Sequence, residues 1–393
     1  MSQHSGKILI VDDNHLNRML LTRALAEQGH TSASAEHGQR ALEMLRADSF
    51  DVVLLDIVMP EMDGYQVLQT LKADATLRDI PVIVISALDE IESAIRCIEM
   101  GAEDYLPKPF NPVLLRARLG ASLEKKRLRD QEHLYLQGLE RELEIGRRIQ
   151  FSFLPDEIPQ PPGWEIAARF QPARQVSGDL YDVFPMRDQQ HIGIVIADVC
   201  DKGVGAALFM ALFRTLIRAT ANLDFSNARR AGARFNPGIV LKKVITLTNN
   251  YIARTHAQAN MFASVFFAIL DPATGALAYI NAGHEPPIIF NARGVQAQLT
   301  RTGMVVGLMP DRPYTVRRAR LKPGDTLLAF TDGVTDAMNA RGETFDRERL
   351  LAMLTPASAA NLLDAIETRV RDHIADANQF DDITMLAMRR KPK

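Results

Sequence analysis

The sequence predicts a doubly wound α/β domain over residues 1–118, a helical linker over 119–153 and an α+β domain over 154–393. Three observations carry this. From Lys7 to about Arg118, short β-branched runs (KILIV, DVVLL, PVIVIS) alternate with amphipathic stretches such as His15 to Glu27. That order builds a parallel sheet buried on both faces. The next stretch, LEKKRLRDQEHLYLQGLERELEIGRRIQ, has no proline and mixed charge, and reads as helix. LPDEIPQPPGW then interrupts with four prolines, a boundary signal. Beyond it the strand-like runs HIGIVIADV, SVFFAIL and TLLAF and the helical stretches Gly203 to Asn222 and Pro237 to His256 come in blocks, as in α+β domains.

The totals exclude several classes. With 393 residues, 47% hydrophobic and 24% charged, each domain can bury a core. A formal net charge of -2 and no helix-turn-helix stretch argue against nucleic acid as a partner. Two cysteines, Cys97 and Cys200, are too few for a disulfide framework or a cysteine metal site. The start, MSQHSGKILIVDD, enters a strand-like run without the apolar core of a signal peptide. The longest apolar runs, such as FASVFFAIL, fall short of a membrane span. The expectation is a cytoplasmic protein with no membrane partner.

In the linker, Leu136, Leu139 and Leu143 share a three-four spacing. They form either a coiled-coil seam, which would pair two chains as a homodimer, or the face of a linker helix packed on one domain.

In the first domain, Asp12 and Asp13 end the first strand, Asp56 the third and Ser86 the fourth, and Lys108 follows the fifth. Ligands in such sheets gather beyond the carboxyl ends of the strands. Three carboxylates on one rim repel unless a cation sits between them, and hard oxygen ligands suit Mg²⁺. A carboxylate there can attack a phosphoryl donor, and Lys and Ser would hold the added oxygens. IVDDN, LLDIVMPEMDGYQV, VIS and the KP of LPKPF resemble the response-regulator receiver family, whose fold is flavodoxin-like. The resemblance implies Asp56 as phospho-acceptor, and Mg²⁺ held by Asp12, Asp13, Asp56 and the carbonyl of Val58. It further implies Ser86 and Tyr105 as a switch pair, Lys108 as the phosphate-sensing lysine, and a cis Lys108–Pro109 bond. A sensor histidine kinase or phosphotransfer protein would be the phosphoryl source.

In the second domain four acidic stretches stand out: SGDLYD (Asp179, Asp182), IADVCDKG (Asp198, Asp201), FTDGVTD (Asp332, Asp336) and FDDIT (Asp381, Asp382). With no zinc-type His/Cys spacing, converging carboxylates favour Mg²⁺ or Mn²⁺. Two such ions about 3.5–4 Å apart activate a water for in-line attack on phosphate. The lone His284 of NAGH reads as a satisfied loop histidine. RRIQFSFLP, ARQVSGDLYDVF, IADVCDKGVGAALFMA, NAGHEPP, FTDGVTDA and FDDITML resemble, in family order, the PPM-type metal-dependent serine/threonine phosphatases of the SpoIIE/RsbU-like branch. The resemblance implies two packed sheets flanked by helices. It implies two Mn²⁺ or Mg²⁺ held by Asp179, Asp198, Asp332, Asp381 and the carbonyl of Val199, with Asp336 in support. It also implies a phosphorylated anti-sigma factor antagonist as substrate. Asp201 stands where many members have glycine, and reads as a cap of the helix near Gly203. Some members of the family have lost their acids and act as binding adaptors, which is the alternative for this domain.

Overall fold

The computed structural model of the chain describes residues 5–87, 91–186, 189–230 and 235–392. It forms two compact units, Met1–Leu139 and Glu140–Lys393.

The first unit alternates strand and helix: β1 (Lys7–Val11), α1 (His15–Glu27), β2 (Thr31–Ala35), α2 (Gly38–Ala47), β3 (Val52–Asp56), α3 (Gly64–Ala73), β4 (Val82–Ala87), α4 (Ile91–Glu99), β5 (Asp104–Lys108) and α5 (Pro112–Phe151). The five strands run parallel in the order β2-β1-β3-β4-β5. Successive side chains of a strand face opposite ways, so one sheet fills two cores. Leu9, Val11, Val53 and Leu55 pack with Leu42, Val67 and Leu71 of α2 and α3. Ile8, Ile10, Val52 and Leu54 pack with Leu21 and Leu25 of α1 and Leu115 and Leu119 of α5. Because β1 lies beside β3, Asp12 and Asp13 just after β1 and Asp56 at the end of β3 are brought to the same rim. Asn14 starts α1 by accepting the backbone N–H groups of Leu16 and Asn17.

Helix α5 is 40 residues long. Its start is fixed by Asn111, whose side chain accepts the N–H of Val113 at 2.8 Å, ahead of Pro112 in the first turn. The helical stretch expected from Leu119 is thus the continuation of a helix already packed in the first unit. Farther along, Leu136 and Leu139 are exposed and Leu143 is half-buried.

The second unit comprises β6 (Trp164–Gln171), β7 (Asp179–Pro185), β8 (Ile192–Val199), α6 (Val204–Arg230), α7 (Pro237–Thr255), β9 (Ala263–Asp271), β10 (Ala276–Ala282), β11 (Ile288–Asn291), β12 (Gly294–Gln298), β13 (Arg317–Arg320), β14 (Thr326–Phe330), α8 (Arg347–Ala352), α9 (Ala359–Ile374) and β15 (Ile383–Arg390). The strands form two five-stranded sheets, β13-β10-β9-β8-β7 and β12-β11-β14-β15-β6, with antiparallel pairing throughout. The sheets close on a core that includes Val183, Ile194, Ile196, Phe266, Leu327, Ala329 and Leu386. Helices α6 and α7 cover the first sheet through Met210, Phe213, Ile217, Leu241 and Ile245. Helices α8 and α9 cover the second through Leu350, Leu363, Ile366 and Val370. The Val204–Leu223 part of α6 is long and apolar enough to cross a membrane by composition alone. Its Ala206, Met210, Phe213, Ile217 and Ala221 are buried at helical spacing against the sheet, the pattern of a core helix.

Candidate functional site

At the rim of the first unit, Asp12, Asp13 and Asp56 each offer a carboxylate oxygen, all within 4.8 Å of one another. Lys108 Nζ lies 2.6 Å from Asp56 Oδ2 and 3.1 Å from Asp12 Oδ2. Asp12 is fully buried and fixed by the Asn14 N–H at 2.8 Å and the Asn17 amide. Burial pushes the Asp56 carboxyl above its ordinary value, and nearby Asp12 adds to this against the opposing Lys108. Burial alone would lower the Lys108 ammonium, but its bonds to Asp56 and Asp12 hold it above its ordinary value. Three hard oxygen donors with only one ammonium among them fit a Mg²⁺ ion. Ser86 is buried on β4, one residue beyond the partner of Asp56. Tyr105 is half-buried on β5, its ring 5.1 Å from the Arg118 guanidinium. The backbone of Val58 hydrogen-bonds Asp56, and its side chain is exposed. The Lys108–Pro109 bond is cis.

In the second unit, Asp179 opens β7 and stands opposite Asp198 near the end of β8. Asp332 follows β14, and Asp381 precedes β15, the strand paired with β14. Two bonds tie the sheets together here. Thr331 Oγ1 donates to Asp179 Oδ2 at 2.8 Å, and Gly178 N–H donates to Asp382 Oδ2 at 2.9 Å. Close approach of backbones is enforced at Gly333, where a Cβ would lie 2.0 Å from the Asp382 carbonyl oxygen. Gly178 is similar: a Cβ there would lie 2.7 Å from the Val199 carbonyl oxygen.

The electrostatics follow. Burial, then Asp198 and Asp382, push Asp179 well above the carboxylate range. Burial, then Asp332, Asp381 and Asp382, push Asp198 up to about 7. Burial, then Asp381, Asp336 and Glu285, raise Asp332. The four acids named from the sequence thus form a chain of neighbours, Asp179 beside Asp198 and Asp198 beside Asp332 and Asp381. The chain is more open than the receiver group, which alone among the described residues brings three carboxylates within 4.8 Å of one another. Such repulsion is what a hard cation relieves. The oxygen donor set fits Mg²⁺ or Mn²⁺. Lys202 Nζ sits 3.0 Å from Asp381 Oδ2.

Other acidic and polar candidates part company. Asp182, three positions from Asp179, faces the opposite way, buried between Arg214 and Arg218 at 3.2 Å each; strand alternation alone foretells this. Asp336 accepts from Thr335 Oγ1 at 3.3 Å and acts on Asp332 only through its charge. His284 is buried, with Nδ1 2.8 Å from Ser264 Oγ and a hydrogen bond to the backbone of Phe330; burial outweighs that bond and lowers its pKa to about 3, so the ring is neutral. Asp201 has a φ of 71° and accepts the N–H of Lys202 at 2.8 Å. Its carboxylate thus serves the turn before α6 rather than capping the first helical turn.

Sequence reasoning also passed over Thr331 and Gln150. Gln150, near the end of α5, is buried and grips the backbone of Ser177: its Nε2 donates to the carbonyl at 2.5 Å and its Oε1 accepts the N–H at 3.0 Å. Ser177 Oγ in turn accepts the N–H of Asp179 at 3.0 Å. Gln150 lay inside the quoted RRIQFSFLP, but a partner in the distant loop at Ser177 leaves no local signal.

Residues 188–391 match the family model "Stage II sporulation protein E (SpoIIE)", and residues 8–120 match "Response regulator receiver domain". Protein IcfG of Synechocystis sp. is 45% identical over 268 residues, covering 63% of this chain, which spans 41% of that protein. Phosphoserine phosphatase RsbU of Bacillus subtilis is 29% identical over 268 residues, 66% of this chain and 75% of that protein. The SiaA-PP2C domain of Pseudomonas aeruginosa superimposes with a TM-score of 0.52 at 22% identity, over 65% of this chain and 98% of that one, a likeness of fold. The chain belongs to the SpoIIE family of PPM-type phosphatase domains, carried behind a response-regulator receiver domain.

Proposed function

We propose that the second unit is a metal-dependent phosphatase of phosphoserine or phosphothreonine in proteins, controlled by phosphorylation of Asp56 in the receiver. The observation that carries this is the gathering of Asp179, Asp198, Asp332 and Asp381, where burial and then neighbouring carboxylates raise Asp179, Asp198 and Asp332, with Asp381 acting on Asp198 and Asp332. With Mn²⁺ or Mg²⁺ bound, the pair of ions lowers the pKa of water and stabilises charge on the phosphoryl oxygens. Asp179, Asp198, Asp332, Asp381 and the Val199 carbonyl hold those ions. Thr331 orients Asp179 through its hydroxyl. In the receiver, Asp12, Asp13, Asp56 and the Val58 carbonyl hold Mg²⁺. Asp56 accepts the phosphoryl group from a histidine kinase or phosphotransfer protein, and Lys108, Ser86 and Tyr105 respond to it.

The substrate of this reading is a phosphorylated anti-sigma factor antagonist in the cytoplasm, in keeping with the likeness to a phosphoserine phosphatase. Two chains pair through α5, whose Leu128, Tyr135, Leu136, Leu139, Ile145 and Ile149 are exposed. The test is release of phosphate from phosphorylated antagonists by the full chain, with and without Mn²⁺ and a small phosphodonor. Binding of such an antagonist without any turnover would replace the enzyme with an adaptor.

A further inference from the structure

We propose that Lys202 is a mobile cation of the catalytic centre: it neutralises Asp381 when no metal is bound, and on metal entry it leaves Asp381 to meet the phosphoryl oxygens of the substrate. The proposal rests on the phosphatase reading above. Lys202 lies in the turn between β8 and α6. Its Nζ is 3.0 Å from Asp381 Oδ2 and 2.6 Å from the Phe380 carbonyl oxygen, and it stands 4.1 Å from the centroid of the Phe380 ring. Its charge also acts on Asp198. Among the described residues it is the only basic side chain in an ion pair with any of the four acids.

An ammonium is a compact point charge on a flexible stem, able to change partners. The Lys202 side chain is 27% exposed, so it can swing away without opening the core. A divalent ion on Asp381 competes for the same oxygen and repels the ammonium, so metal binding is an exchange. The four carboxylates, with Asp382, Asp336 and Glu285 beside them, offset much of the positive charge that divalent ions would offer a phosphate dianion. Lys202 adds to that charge, and lysine binds phosphate as a point charge. Phe380 is 56% exposed and holds the ammonium by its ring and carbonyl, so the charge sits beside Asp381 within reach of solvent.

The experiment compares the full chain with Lys202→Met and Lys202→Arg. Calorimetric titration with Mn²⁺ should show Lys202→Met binding about threefold or more tightly, because no ion pair must break; the receiver site is common to both proteins and cancels. At saturating Mn²⁺, KM for a phosphoserine peptide should rise about tenfold in Lys202→Met, the loss of one charge-assisted contact, while Lys202→Arg stays near the parent. Unchanged or weaker Mn²⁺ binding in Lys202→Met overturns the exchange. Tighter Mn²⁺ binding with an unchanged KM overturns the role toward phosphate. If the parent chain itself never turns over phosphoserine, the phosphatase reading fails, and the Mn²⁺ comparison still decides the exchange.

Discussion

A carboxylic acid raised to about 7, as Asp198 is, titrates where most aspartates are long since charged. Its ordinary value, which the unfolded chain keeps, is 3.8, so between those values the native state holds a proton that the unfolded state has lost. Stability therefore falls as pH rises through that window and is level above it. In chelator, the thermal midpoint of the full chain should fall from pH 4 toward pH 7 more steeply than that of Asp198→Asn; equal slopes would show that Asp198 does not carry the repulsion. At Gly333 the argument is steric. A methyl group 2.0 Å from the Asp382 carbonyl oxygen must push the Asp332 turn away from Asp381. Gly333→Ala should cost about 1–3 kcal/mol of stability, as overpacking does, and weaken Mn²⁺ binding; calorimetry and thermal unfolding check both. The acids stood out because they flank apolar runs, before one at Asp179 and Asp381 and at the end of one at Asp198 and Asp332, and the family resemblance of those stretches gives them their metal role. The need for glycine at 333 was not legible, since its neighbour, the Asp382 carbonyl just before β15, lies far along the chain and leaves no local signal.

Among the elements, α5 separates what a sequence discloses from what it conceals. The helix was plain in its charge pattern. Its start was overlooked because Asn111 and Pro112, a good cap and first-turn pair, fall inside a stretch already assigned to the receiver. Its end holds Gln150, which completes both backbone groups of Ser177 beside Asp179. Gln150→Ala leaves two buried groups unpaired, at about 1–3 kcal/mol each. It should lower kcat with little change in KM, because Asp179 is displaced rather than the substrate. A variant that unfolds earlier yet keeps the parent's kcat would confine Gln150 to a packing role.

For the whole molecule, the parallel receiver sheet and the α+β class of the second unit follow from periodicity and order along the chain, whereas its two packed sheets with helical covers come from the family resemblance of its motifs. What no periodicity conveys is the traffic between Asp56 and the phosphatase centre. Phosphorylation adds about -1.5 to -2 charges, and its effect must pass through an element with two arrangements. Helix α5 is the candidate, since it begins in one unit and ends in the other. Charged residues at Leu136 and Leu139 should break pairing and abolish the response to a phosphodonor while the basal rate persists. Scattering mass and phosphate release read the two effects separately, and an unaltered mass with an unaltered response would reduce α5 to a tether.

The most direct measurement is phosphate release from a phosphoserine-bearing antagonist by the purified full chain in Mn²⁺, alongside Asp332→Asn and Asp198→Asn. The account predicts turnover that chelator abolishes, and a loss of at least about a hundredfold in each variant, the scale of removing a group that stabilises the transition state, with the thermal midpoint in chelator kept or raised. Metal-independent turnover, or full activity in either variant, would contradict it.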